Sequence, residues 1–270
     1  MSTIAKVTAI YIYPVKSCRG ISLTAANLDR WGLEFDRNWM LVDRNGKFLT
    51  QRQLHRMALI ETALDDRYLR LNAPGMSELS ISLLDRSGEE VNAVVWHDLV
   101  KAIDCGTEAA AWFSSFLGVS CRLVQMHQDF DRPTDPTYTP ASLSGQVTFA
   151  DGFPLLLISE ASLADLNARL AEPLPMNRFR PNVVVSGCAA FAEDRWQKMQ
   201  IGEVLFYGVK PCSRCMITTI DRNTGIDDKE PLITLASYRF DRGKIFFGQN
   251  LIHAAQGTVH VGDHAIEISD

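Results

Sequence analysis

The segment Val204-Leu-Phe-Tyr-Gly-Val-Lys-Pro-Cys-Ser-Arg-Cys-Met-Ile-Thr-Thr-Ile220 carries the reading of the fold. It opens on a β-branched and aromatic run, Val204–Tyr207, and closes on another, Met216–Ile220, each predicting a strand. Between them lies Lys210-Pro-Cys-Ser-Arg-Cys215. A cysteine pair with strands on both sides, instead of at the head of a helix in a βαβ unit, points to β surroundings. Similar short runs recur at Val7–Tyr13, Asn182–Ser186, Lys244–Phe247, Thr258–Val261 and Ala265–Ile268. Trp39–Asp43 and Lys47–Thr50 flank Arg44-Asn45-Gly46, a hairpin signal because Asn and Gly accept positive φ. A second hairpin is predicted around Asp85–Gly88, between Leu79–Leu84 and Val91–Trp96.

Helices are few. One is predicted from a Thr107 cap, with Ala109, Trp112, Phe113, Phe116 and Leu117 on one stripe and Gly118 as its end. A second follows Ser159, with Leu163, Leu166 and Leu170 on one face, and a third runs from Pro231 through Tyr238. Residues 126–140, broken by Pro133, Pro136 and Pro140, predict a connection without regular structure. The expected class is mainly β with peripheral helices (α+β), as a β-barrel or sandwich.

With 46% apolar residues and 22% charged ones over 270 residues, the chain has the profile of a folded globular protein. A formal net charge of −5 argues against non-specific nucleic-acid or anionic-membrane binding, so any basic site is local. The start, Met1-Ser-Thr-Ile-Ala-Lys6, shows no secretory h-region, and the longest apolar run, Phe153–Ile158, is far short of a membrane span. A cytoplasmic protein with no membrane partner is expected. Its six cysteines are then expected to be reduced.

Three readings of Cys212-Ser-Arg-Cys215 compete: a structural zinc site, a redox pair, and two small core residues. No second C-x-x-C supports zinc. Arg214 adjoins Cys215, and a neighbouring cation favours the thiolate that binds metals. Further cations sit at predicted strand ends. Lys16 and Ser17 can hold an anion, although a lysine there commonly snorkels to water. Arg37 can pair with Asp36 or clamp a phosphate or pterin, and Arg180 precedes a buried strand. Asp151-Gly152 reads as a turn whose carboxyl can serve as a proton donor, and Asn250 as a turn residue.

Tyr13-Pro-Val-Lys-Ser17, Asp36-Arg37, Ser159–Asn167, Phe179-Arg-Pro-Asn182, Ser186-Gly187, Cys212-Ser-Arg-Cys215, Thr218-Thr219 and Phe247-Gly-Gln249 together form an ordered pattern. In this pattern the chain resembles MOSC-domain proteins, above all the mitochondrial amidoxime-reducing component and its bacterial relatives. The resemblance spans nearly the whole chain. It implies a MOSC β-barrel fold with an N-terminal β-barrel region at 1–125 and a MOSC domain at 126–270. It also implies a molybdenum cofactor (Mo-molybdopterin) with Cys215 as the protein's metal ligand. The family's cofactor contacts fall on Lys16, Ser17, Arg37, Gly152, Arg180, Ser213, Arg214, Cys215 and Asn250. Mitochondrial members carry a hydroxyl residue where this chain has Gly152, which offers only its backbone N–H, and an aromatic residue in place of Asn250.

The implied activity is reduction of N-hydroxylated small molecules, such as amidoximes and N-hydroxylated bases, to amidines or amines. Cys215 and Asp151 are the expected catalytic residues, with Asp151 as proton donor. The chain shows no ferredoxin-like domain after Asp263, so electrons are expected from a separate flavin reductase or ferredoxin-like protein. The alternative is a sulfur or molybdenum-cofactor carrier using a Cys215 persulfide or thiolate. Some sulfur-handling MOSC proteins carry a pyridoxal phosphate-dependent desulfurase domain that is absent here. Pyridoxal phosphate binding is therefore a family-level association only.

Overall fold

The structure, a computed structural model, describes residues 4–268; the N-terminal Met1–Thr3 reading lies outside them. Seven strands form a closed barrel. In chain order they are β1 (Ile4–Ile12), β2 (Leu155–Ser159), β3 (Val183–Ser186), β4 (Lys198–Ile201), β5 (Val204–Ser213), β6 (Lys244–His253) and β7 (His264–Glu267). Around the barrel the order is β2-β3-β1-β7-β4-β5-β6, and pairing of β6 with β2 completes the ring. Only β2 and β3 run parallel; the other pairs are antiparallel. Closure removes the open edges that would otherwise template aggregation. The interior is filled by buried aliphatic and aromatic side chains, among them Val7, Ile10, Leu157, Val183, Met199 and Phe206.

The N-terminal region adds a four-stranded antiparallel sheet, ordered Trp39–Val42, Arg122–Met126, Asp98–Asp104 and Glu90–Val95. It also adds a three-stranded sheet of Glu61–Leu64, Tyr68–Asn72 and Leu79–Ser82. Helix α1 (Gly106–Leu117) buries Ala109, Trp112, Phe113, Phe116 and Leu117 in the core between them, the stripe read from the sequence. The first strand nevertheless belongs to the barrel of the C-terminal region, paired with β3 and β7. No helix among the described residues is long and apolar enough to cross a membrane.

The mainly β class and the Asn45-Gly46 hairpin are as read, with Gly46 at φ 76° and Val42 bridged to Phe48. Gly118 ends α1 in the left-handed conformation, Ser159 caps α2 (Glu160–Asn167), and α3 (Leu232–Arg239) follows Pro231. Three local expectations fail. Leu79–Ser82 and Glu90–Val95 are not hairpin partners: each pairs within a different sheet. The real hairpin joins Glu90–Val95 to Asp98–Asp104 through Trp96-His97. Trp96 takes a φ of 57°, a conformation that a Trp-His dipeptide does not advertise. Thr107 does not cap α1; the Asp104 carboxylate accepts the Gly106 N–H instead. Met216–Thr219 is a 3-10 turn, not a strand. The Thr218 and Thr219 hydroxyls donate back to the Cys215 and Met216 carbonyls, a local bonding choice that competes with sheet pairing.

Ile10→Ala removes a fully buried side chain from the strand shared by the two regions. Unfolding in urea, followed by fluorescence and far-UV dichroism, should show a loss of about 2–5 kcal/mol. Both probes should shift together, because no separate N-terminal transition exists in which the barrel survives without β1.

Candidate functional site

One rim of the barrel gathers the polar residues. The C-terminal end of β1 and the starts of β2 and β3 lie at this rim, as the registers Ile10↔Val183 and Leu157↔Val183 require. Lys16 and Ser17 follow β1, Asp151 and Gly152 precede β2, and Arg180 precedes β3. Asn250 sits in β6 opposite Leu156 and Lys210, and β5 runs past the rim to deliver Ser213, Arg214 and Cys215. Arg37 enters from the segment before Trp39. All ten residues singled out in the sequence line one cleft.

The cleft is crowded with positive charge. The Lys16 ammonium is buried and donates to the Phe149 carbonyl at 2.7 Å and to Asp151 Oδ1 at 2.5 Å. Burial lowers the Lys16 pKa. Burial would raise Asp151, but Lys16, and Arg52 at 3.6 Å from Oδ2, outweigh it and hold the carboxyl well below the usual carboxylate range. Asp151 is therefore an anion at neutral pH. It accepts hydrogen bonds from Lys16 Nζ and from Trp96 Nε1 at 3.2 Å, which favour its ionised form. Arg37 pairs with buried Asp36 and donates to Asn182 Oδ1 at 3.0 Å. Arg180 donates to the Cys18 carbonyl at 2.6 Å and lies over the Tyr13 ring. Burial, together with the neighbouring Arg37 charge, lowers Arg180 to about 10.

Three of these residues bear a second mark. Ser17, Arg37 and Arg180 adopt positive φ of 69°, 51° and 56°. Each costs a non-glycine residue on the order of 1 kcal/mol or more. Three strained residues from three separate segments meet in one cleft, which is where strain is retained for function.

The cysteines divide by environment. Burial pushes the Cys18 and Cys105 thiols up to about 12, and it raises Cys121 and Cys188 as well. Those four stay protonated. Cys212 and Cys215 line the cleft. The arginine against Cys215 is not its sequence neighbour: Arg214 donates to Cys212 Sγ at 3.0 Å, while Arg52 donates to Cys215 Sγ at 3.3 Å. Arg52 is itself fixed over the Trp96 ring. The sequence reading passed over Arg52, although it stands two residues beyond the predicted strand Lys47–Thr50, as the other cleft cations stand at strand ends.

Among the described residues no three His, Cys, Asp or Glu side chains converge, so zinc held by side chains alone has no ligand set. A metal that brings its own sulfur ligands needs only one protein sulfur, and Cys215 Sγ lines the cleft. Arg214 Nε is buried without a partner, a donor waiting for an acceptor. A Cβ added at Gly152 would meet nothing within 4 Å, so the cleft is open beside its backbone N–H. Donor set, orphan and space all fit an anionic, sulfur-bearing metal cofactor.

Two domain families match the chain: the MOSC N-terminal beta barrel domain over residues 4–120 and the MOSC domain over residues 144–265. The chain is similar to mitochondrial amidoxime reducing component 2 of Rattus norvegicus, 38% identical over 100% of this chain and 85% of the relative. It is similar also to mitochondrial amidoxime-reducing component 1 of Mus musculus, 38% identical over 97% of this chain and 82% of the relative. Component 1 of Homo sapiens is 37% identical over 97% and 83%.

Asp151→Asn leaves the Lys16 ammonium with the Phe149 carbonyl and no counter-charge. Discounted for the exposed outer edge of Asp151, the expected destabilisation at neutral pH is about 1–2 kcal/mol. A carboxylate with a depressed folded pKa stabilises above its unfolded pKa and loses that contribution as pH falls through the folded value. Urea midpoints of the two proteins should therefore stay apart down to roughly pH 4 and converge only in stronger acid.

Proposed function

The chain belongs to the MOSC-domain family, and from that membership we propose that it reduces N-hydroxylated compounds at a molybdenum cofactor bound in the rim cleft. The observation that carries the reading is the meeting of the partly exposed Cys215 with Lys16, Arg37, Arg52, Arg180 and Arg214 in that cleft. Cys215 Sγ is the metal ligand, a soft donor suited to a metal already held by sulfur. Arg37, Arg180 and Arg214 line the cleft and would hold the cofactor's anionic groups. Ser17, Ser213, Asn250 and the Gly152 N–H complete the polar lining. When bound, such a cofactor supplies two-electron chemistry at the oxygen of the substrate's N–O bond.

The net reaction takes an amidoxime, two electrons and two protons to an amidine and water. The electrons come from a separate donor, of flavin reductase or ferredoxin-like kind. The chain's residues manage charge and protons. Asp151, ionised, holds the Lys16 ammonium in place. Lys16, with its pKa lowered by burial, is a second candidate proton holder of the cleft beside Asp151. Arg52 donates to the Cys215 sulfur at 3.3 Å and so helps to fix its position. The relatives are named mitochondrial; a cytoplasmic location is the companion proposal here, and six free cysteines suit that reducing compartment.

Protein from a host that makes the cofactor should contain molybdenum by elemental analysis and should convert benzamidoxime to benzamidine with a chemical reductant. Cys215→Ser should lose both metal and turnover, whereas Cys212→Ser should keep a part of each. Equal loss in the two variants argues for a shared role of the pair. Persulfide on Cys215 in metal-free protein, found by mass spectrometry without turnover, turns the reading to a sulfur carrier.

A further inference from the structure

A second cavity, of about 230 Å³, opens on the far side of Arg180 and Ile217 from the cofactor cleft. Its wall carries four guanidinium groups, from Arg19, Arg178, Arg180 and Arg222, and none of its lining residues is acidic. Two of the four are neutralised: Arg19 pairs with Glu61 at 2.5 Å and Arg178 with Asp221 at 3.1 Å. Arg178 also spends its remaining donors on the Thr218 and Thr219 carbonyls, so it is a fixed part of the wall. Arg180 bonds only carbonyl oxygen and stacks on Tyr13. The Arg222 guanidinium makes no ion pair or hydrogen bond among the described residues, although burial and Arg19 both lower its pKa. Arg180 and Arg222 thus face the cavity with no direct ion pair among the described residues, their nearest carboxylates, Asp36 and Glu61, being paired to Arg37 and Arg19.

A second observation is independent of charge. Asn177 lines the same cavity, and its side-chain Oδ1 is buried with no partner. An orphaned carbonyl oxygen inside a protein costs about 1–3 kcal/mol, and only an N–H or O–H donor satisfies it. The carbon surface of Ile217 and Ile220 supplies an apolar flank. Gly20 also lines the cavity, and a Cβ there would stand 2.5 Å from the Tyr13 ring, so only glycine fits against that ring.

We propose that this cavity is a second small-molecule site, taking a phosphate monoester with a small flat body. A phosphate monoester carries about −1.5 to −2 charges at neutral pH, which matches Arg180 and Arg222. Its oxygens suit the planar donors of guanidinium. The body lies against Ile217 and Ile220, and an N–H or O–H carried on it would donate to the Asn177 Oδ1 acceptor. The volume, below the ~300–1,000 Å³ of drug-sized sites, limits the ligand to a ring or short chain. The site shares Arg180 with the cofactor cleft, but it does not require that a cofactor bind there.

Phenyl phosphate titrated calorimetrically into the full chain is the test, with benzoate as the monoanionic comparison. Phenyl phosphate should bind, and benzoate at least roughly tenfold more weakly. Arg222→Gln, and Ser22→Glu at the exposed rim, should each weaken phenyl phosphate by at least roughly tenfold. Ser22 is exposed, so the second variant keeps the test decisive if the first folds poorly. Arg214→Gln, which alters only the cofactor cleft, should leave this affinity unchanged. Three results overturn the proposal: wild-type affinity in both cavity variants, loss confined to Arg214→Gln, or no binding by wild type at about 10 mM. Failure of molybdenum loading, read separately, bears on the cleft alone.

Discussion

Pairing of Leu155–Leu157 with Gln249–Leu251 is the contact on which the rest depends, because it joins the two ends of the seven-strand path into a ring. Without it β2 and β6 are open edges, and the cleft loses its frame. The same register sets Asn250 opposite Leu156 on one side and Lys210 on the other, and so aligns the turn before β2 with the overhang of β5. Close approach tightens this corner: a Cβ on Gly208 in β5 would lie 1.9 Å from the Trp196 carbonyl. The rim cleft is a geometric result of closure, not of any one loop.

Placing several cations at that rim has a cost, met by distinct devices. Asp36, buried, takes Arg37; Asp151 takes Lys16 and approaches Arg52. Arg180 and Arg214 instead lean on carbonyl oxygens and aromatic rings. The incompletely satisfied members are those facing open space, which is the electrostatic form expected of a site built for an anion. Left-handed backbones at Ser17, Arg37 and Arg180 add strain at the same place. Stability is given up where ligand binding can restore it.

Much of this was legible in the chain. Strand-like runs, the Asn45-Gly46 turn, the α1 stripe and the helix start after Ser159 are local signals, and local physics kept them. The elements misread were those in which one local preference overrode another. Met216–Thr219 has the composition of a strand, yet its threonine hydroxyls close a turn. Asp85–Gly88 has the composition of a hairpin, yet the flanking strands find partners in different sheets.

The sequence by itself determined the secondary-structure class and, through its ordered motifs, the ten polar residues worth watching. The class follows from periodicity, a property of neighbouring residues, and the site residues from the family resemblance that the ordered motifs carry. Only the tertiary structure decided that β1 joins the C-terminal barrel, and that Arg52 and not Arg214 meets Cys215. Only it decided that Asp151 pairs with Lys16 and that Arg222 and Asn177 face a second cavity. Each of these depends on which distant segments barrel closure brings within a few ångströms, and on the field their charges make there.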